Sequence, residues 1–407
     1  MHKKHNAALG FIFVTLLVDV TGLGVIIPVT PKLIMSLIHS NSVSDAISYG
    51  LWINVIYAVM QFIFSPVLGG LSDQYGRRPI LLISLLGFGL DYLVMANAPT
   101  IVWLFIVRIF SGIAGASFTT ATAYIADIST PEKRAQNFGI VGAAFGMGFI
   151  IGPAIGGMLG HYGTRVPFYF SAGLSLLNFV YGYFVVPESL SPDHRRKFDW
   201  KRANPVGTLT QLGKYPVVLG MIGSIICIYL AAHATQSTWT YYTMEKFKWD
   251  EKMVGWSLAF VGLMIGIVQG GLIRIINPKL GNKKSIYLGF GLYVIGFTLF
   301  AFASQSWMMF AFTILYCLGG ITGPALQGIM SGEVPANAQG ELQGGLTSLI
   351  SVTSIIGPLM MGYLFRYYTK PGHPYFPGAP FLMGGFLTLI GTVLAVRSLS
   401  QTMKNVN

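Results

Sequence analysis

Charge is what this sequence has least of. Only 10% of its 407 residues are Asp, Glu, Lys or Arg, against about 25% in an ordinary soluble protein, and Asp and Glu together number just 14. That is too few ionisable side chains to clothe a water-exposed globule. Hydrophobic residues make up 53% and mean hydropathy is +0.62, so the chain reads as an all-α polytopic membrane protein. Cysteine is as scarce. Cys227 and Cys317 both lie in apolar stretches with no companion at metal-ligand spacing, which excludes a disulfide framework and a zinc site. No G-x-x-x-x-G-K-[ST] occurs, and the glycine-rich stretches have no strand before them, so ATP is not the expected energy source. Without a nucleophile, a metal cluster or a soluble catalytic domain, the expectation is a protein that is not an enzyme and carries no cofactor.

The charge that is present is mostly positive, +12 net. In a soluble chain this would suggest nucleic acid. Here basic loops set membrane orientation and face anionic lipid, and nucleic acid is not expected as a partner. A bilayer core of about 30 Å needs roughly 20 apolar residues per helix. On that scale spans fall at 7–31, 48–69, 80–97, 100–126, 137–160, 167–187, 215–242, 253–276, 285–303, 306–331, 342–365 and 379–399. Lys3 and Lys4 before the first run imitate a signal peptide, but the run continues through Asp19 to Pro28 with no cleavage site and reads as a span. Most of the 26 basic residues, Arg77, Arg78, Arg195, Arg196, Lys197, Lys283 and Lys284 among them, fall on one side. Both termini and the central loop are therefore expected to be cytoplasmic.

The spans divide into residues 1–187, a charged linker at 188–214, and 215–407. The halves resemble each other at an offset of about 205 residues. Ile150-Ile151-Gly152-Pro153 returns as Ile355-Ile356-Gly357-Pro358, and Gly76-Arg77-Arg78 as Gly281-Asn282-Lys283. Two six-helix bundles about a pseudo-two-fold axis, with a site near the midplane, is an arrangement built for alternating access.

Asp19 lies about 12 residues into the first span, roughly 18 Å deep at about 1.5 Å per residue. An acid there costs about 2.5–3.5 kcal/mol on insertion scales, so it faces a cavity or a partner. It either binds a proton or a cation, or merely locks helix packing. Asp91 in the third span and Arg108 in the fourth fall at comparable depth. They are either a static salt bridge or a pair whose mutual pull and shared desolvation let a carboxyl change protonation. In the fifth span Gly139, Gly148, Gly152, Pro153, Gly156 and Gly157 clear one helix face and allow bending; close packing alone is the other reading. His233, Gln236, Gln269, Gln327 and Gln343 are scattered through the second half, as cavity linings or as interhelical hydrogen bonds. Tyr57, Phe62, Tyr92, Trp239 and Tyr241 could stack on a flat solute or belong to the aromatic belt.

The tight turn Gly69-Gly70-Leu71-Ser72-Asp73-Gln74-Tyr75-Gly76-Arg77-Arg78-Pro79 joins two apolar helices. It resembles motif A of the major facilitator superfamily, G-x-L-S-D-R-x-G-R-R-P, with Gln74 at a usually basic position. Arg108-Ile109-Phe110-Ser111-Gly112 resembles motif B, and the fifth-span glycines resemble motif C, associated with antiporters. Leu17-Val18-Asp19, Gln61-Phe62-Ile63-Phe64-Ser65-Pro66, Leu90-Asp91-Tyr92-Leu93 and Pro324-Ala325-Leu326-Gln327-Gly328 extend the likeness, nearly end to end, to the twelve-helix tetracycline/proton antiporters of the drug:proton branch. The resemblance implies that Asp19, Gln61 and Asp91 handle substrate and proton, that Arg108 modulates them, and that Gly69, Asp73, Gly76, Arg77 and Arg78 form a cytoplasmic gate with Asp127. It departs at Ile265 and Tyr293, where the family carries a histidine and an aspartate. The expectation is a proton-coupled exporter of small amphipathic or cationic drugs, in the inner (plasma) membrane and working as a monomer, with tetracycline discounted. A metabolite importer or facilitator on the same fold is the alternative.

Overall fold

The computed structural model describes residues 2–115, 117–128, 134–195, 197–198, 216–332 and 339–404. The side chains of Lys3, Lys4, Gly139, Arg196 and Gln343, and the linker from residue 199 to 215, lie outside the described residues. Among those described there is no strand, as a backbone that must satisfy its own hydrogen bonds in lipid requires. By contact the chain forms two compact units: Met1–Ser42, Trp52–Asn204 and Asp250–Ala259 make one, and Val43–Leu51, Pro205–Trp249 and Phe260–Asn407 make the other.

The first unit starts with α1 (His2–Ile26) and α2 (Thr30–Leu37), set at 49° to each other. Pro28 lies in the break and Pro31 in the first turn of α2, where a missing N–H costs nothing. α3 (Val43–Tyr75) runs past its expected span at both ends, and its Val43–Leu51 start belongs to the second unit. α4 (Arg77–Asn97), α5 (Ile101–Gly115), α6 (Ser117–Asp127), α7 (Arg134–Gly160) and α8 (Val166–Val185) follow. α1 packs on α7 and α8, and α4 on α5 and α8. The α1–α7 approach needs glycine: a Cβ on Gly152 would lie 2.6 Å from the Thr21 carbonyl, and one on Gly156 would strike the Val25 carbonyl. Phe11, Ile12, Leu16, Leu81, Tyr124 and Ile125 form the core beside this seam.

The second unit holds α9 (Pro216–Gln236), α10 (Trp239–Phe247) and α11 (Glu251–Ile267), whose first turns belong to the first unit. A π turn at Val268–Leu272 leads into α12 (Ile273–Phe302), broken at Gly281. α13 (Ser306–Leu318), a 3₁₀ turn at Gly319–Ile321, α14 (Thr322–Gly332), α15 (Gln339–Thr369) and α16 (Ala379–Lys404) complete it. α16 packs on α9 and α12 around Met221, Ile286, Phe290 and Leu326. A second core is aromatic: Phe381 and Tyr242 meet edge to face at 4.8 Å, as do Trp239 and Phe300 at 5.2 Å.

Every expected span falls on a helix or a broken run of helix. Among the described residues seven helices are long and apolar enough to cross a membrane, or eight with the bent α1–α2 pair. Ile101–Gly115, Ala144–Gly160 and Met221–Gln236 are apolar but shorter. Breaks near residues 237 and 268 divide what hydropathy alone renders continuous.

Candidate functional site

The first unit encloses a cavity of about 180 Å³. Asp19 and Thr15 reach it from α1, Tyr57 and Gln61 from α3, Phe88 from α4 and Phe145 from α7. Asp19 is the one acid in this lining among the described residues. Thr15 and Asp19 are four residues apart, hence on one face of α1. Asn178 of α8 donates from Nδ2 to Asp19 Oδ1 at 3.4 Å and to the Thr15 carbonyl at 3.2 Å. Gln61 donates to the Gly115 carbonyl at 3.1 Å, which fixes its amide at the cavity edge.

Tyr57 has a second neighbour. The Arg108 guanidinium lies 5.8 Å from its ring centroid, an attractive arrangement for a cation over a π face. Arg108 and Asp91 are both buried, 7% and 5% exposed. No ion pair joins them among the described residues; neither Asp91 oxygen accepts a hydrogen bond and Arg108 Nε donates none. The structure therefore does not contain the static bridge that their equal depth allows. Burying an acid and a guanidinium without a bridge between them is costly, and the arginine is turned to the Tyr57 ring instead. Asp91 and Arg108 do not line the cavity themselves.

The other candidates lie elsewhere. His233, Gln236, Gln269 and Gln327 are in the second unit and line no part of this cavity. His233 is buried against Gly357 of α15, whereas Gln236, Gln269 and Gln327 are exposed. Trp239 and Tyr241 are buried, and Tyr92 is among the largest fully buried side chains; Phe62 is half-buried. Ile265 is exposed on α11, and Tyr293 packs on Tyr316 with ring centroids 5.2 Å apart.

The fifth-span glycines serve two contacts. Gly148, Gly152 and Gly156 face α1, while a Cβ on Gly157 would lie 2.6 Å from the Glu251 carbonyl at the start of α11. Pro153 packs on Gly24 and Gly255. Beside them Lys32 of α2 pairs with the buried Glu251 at 2.6 Å.

The charged turn forms one network at an end of the first unit. Arg77 bonds Asp73 at 2.6 Å, Asp127 at 3.1 Å and the Ser72 hydroxyl at 2.6 Å, joining α3, α4 and α6. Glu188, just past α8, accepts the Arg77 and Arg78 backbone N–H groups at 2.8 and 3.2 Å. A carboxylate at a helix N-terminus meets unsatisfied donors and the positive end of the dipole. Arg78 donates to the Tyr183 carbonyl at 2.6 Å and stands over that ring. Gly69 leaves open space at its Cβ position and accepts from Ser72 Oγ at 2.7 Å. Gln74, where the family pattern is basic, accepts from Phe198 N at 3.0 Å.

Glu188 and Asn178 are the residues that sequence reasoning missed. Pro187-Glu188-Ser189 closing a span carries the signal for the first, a lone acid near an arginine pair. The second had only a single amide in an apolar run. Among the described residues no group of three His, Cys, Asp or Glu could hold a metal.

The family model of the Major Facilitator Superfamily matches residues 12–280 and 224–405. The class C tetracycline resistance protein of Escherichia coli is 38% identical over 362 residues, 89% of this chain and 90% of that protein. The class B protein of Escherichia coli is 36% identical over 367 residues, 89% of each. Among solved structures, the human organic anion transporter MFSD10 (TETRAN) superposes with a TM-score of 0.71 at 22% identity, over 96% of this chain and 99% of that one.

Proposed function

The chain belongs to the Major Facilitator Superfamily, and we propose that it exports small amphipathic or cationic drugs in exchange for protons by alternating access. It is a multi-pass membrane transporter, not an enzyme. The observation that carries the exchange reading is Asp19, among the described residues the one acid in the lining of a cavity that also presents Tyr57, Gln61 and two phenylalanines. A carboxylate in such a site attracts a cationic solute, and a proton taken up in its place releases it. With a neutral solute, one proton entering across 100 mV supplies about 2.3 kcal/mol, enough for more than a tenfold solute gradient; a monovalent cation exchanged one for one moves no net charge and is driven by the pH difference alone.

Asp91 and Arg108 adjust this site through Tyr57. Residues 1–187 and 215–407 act as the two moving bodies, joined by 188–214, with the termini and linker cytoplasmic. The Asp73–Arg77–Asp127 network keeps the first body rigid at its cytoplasmic end as the gate works. The protein functions as a monomer in the inner membrane. Resistance to tetracycline is what the relatives are named for, but Ile265 and Tyr293 leave this chain without two ionisable groups of the family pattern. Other flat or cationic drugs are therefore favoured over tetracycline as cargo.

A drug-susceptibility panel in an efflux-deficient host, tetracycline included, tests the cargo with Asp19→Asn as the inactive control. Proton release from purified protein on drug addition tests the coupling. Release that persists unchanged in Asp19→Asn rejects the mechanism. Uptake into vesicles that continues after the proton gradient is collapsed favours an importer or facilitator instead.

A further inference from the structure

We propose that Asn178 is a positioning residue for Asp19, and that its amide serves the charged and the protonated carboxyl in turn. The proposal rests on the reading of Asp19 as the proton site. Asn178 is 4% exposed on α8, and its Nδ2 reaches both the Thr15 carbonyl and Asp19 Oδ1. Its Oδ1 is buried with no hydrogen-bond partner, as is the Thr15 hydroxyl one turn before Asp19.

A buried amide oxygen without a partner is costly and therefore uncommon. Here the idle groups are the ones that a change of protonation would recruit. A carboxylate only accepts hydrogen bonds, whereas a carboxylic acid donates one. A hydrophobic neighbour could serve neither state, and a lysine or arginine only the first. An amide presents a donor and an acceptor on one plane, and half a turn about its terminal torsion exchanges them. The Thr15 hydroxyl adds a second group that can donate or accept.

The surroundings hold the amide for this purpose. Ser171, two turns earlier on α8, donates to the Gly22 carbonyl at 3.1 Å, which fixes the polar face of α8 against α1. The titratable groups near Asp19 on the other packed elements are Tyr57 from α3 and Tyr92 from α4, with Asp91 of α4 and Arg108 of α5 acting on both rings from outside the cavity lining. α7 contributes Phe145. None of those groups hydrogen-bonds Asp19, so Asn178 is the side chain that responds directly to its proton.

Infrared difference spectroscopy of the purified protein in lipid, titrated with pH and no drug present, reads this out. The carbonyl stretch of protonated Asp19 is the titrating band that Asp19→Asn removes. In Asn178→Leu and Asn178→Ala, which differ in volume, that band is expected to move to higher wavenumber. Its pH midpoint should be displaced by about one unit, a tenfold change in proton affinity. Asn178→Gln is expected to restore most of both. An unmoved band and midpoint in Leu and Ala variants that melt like the parent overturn the proposal. A titrating carboxyl band that survives Asp19→Asn overturns the reading of Asp19 beneath it, and this proposal with it.

Discussion

At Gly76 the backbone turns with φ 103° and ψ 161°, and at Gly281 with φ 74° and ψ 160°. These are equivalent points of the two sequence halves, and both values lie where only glycine is comfortable. Their surroundings differ. Gly76 is enclosed: a Cβ there would collide with the Glu188 carboxylate, and Arg77 beside it holds Asp73, Asp127 and Ser72. Gly281 has nothing within 4 Å of its Cβ position. Asn282, in the place of Arg77, bonds Asn277 at 3.2 Å on an exposed surface. The turn thus has one backbone and two chemistries. The glycine is kept at both turns, and the second still carries Lys283 and Lys284, but Asn282 stands where Arg77 bridges two acids in the first. The first turn is the one able to report on an ionic gate.

The largest effect expected is from Arg77→Met. Arg77 is buried, so its removal takes the charged partner from Asp127 and Asp73, leaving Asp127 only the Ser189 hydroxyl and Ser72 only the Gly69 carbonyl among their described side-chain bonds. With Asp73 substantially exposed, the loss is about 1–3 kcal/mol. Exchange in proteoliposomes is expected to fall at least tenfold, and in Asp73→Asn as well, while equilibrium drug binding stays within about threefold, because neither residue lines the cavity. A binding loss as large as the transport loss would refute that separation of gate from cargo site.

Next come the glycines themselves. Gly281→Ala meets backbone strain alone, about 1–3 kcal/mol. Gly76→Ala meets the same strain and also displaces the Glu188 carboxylate from the α4 N-terminus. Melting in detergent should therefore drop further for Gly76→Ala than for Gly281→Ala, and only the former should impair exchange beyond its stability loss. Equal effects would mean that the two turns are equivalent in function.

Glu188→Gln isolates the cap. It keeps the shape and removes the charge that faces two N–H groups, for a loss of about 0.5–1 kcal/mol. The measurement is melting at neutral pH in low and high salt: the loss should be larger at low salt, and an unchanged melting temperature would show that the side chain's shape alone makes the cap.

What the sequence made legible follows from periodicity and local chemistry. The helical runs, the Gly76 turn and the Arg77 cluster were all legible, because each is set largely by residues within one or two turns. The breaks near residues 237 and 268 were not, since the residues around them continue the hydropathy. Asn178 and Glu188 act on partners 159 and 111 positions away, a separation that no local pattern carries. Asp91 and Arg108 show the limit of depth matching: equal depth placed both in the interior without making them a bonded pair.

The smallest effect belongs to the second turn. In a double-mutant cycle, Asn277 and Asn282 are expected to couple by less than about 0.5 kcal/mol, since an exposed neutral hydrogen bond merely replaces one to water. Arg77 and Asp127, bonded at 3.1 Å with the arginine buried, should couple by more than about 1 kcal/mol. The cycles are read by melting at low and high salt, where the Arg77–Asp127 term should weaken and the Asn277–Asn282 term should not. Coupling of similar size and salt response at both turns would show that the second half kept an electrostatic role in another form. The backbone likeness of Gly76 and Gly281 would then extend to function.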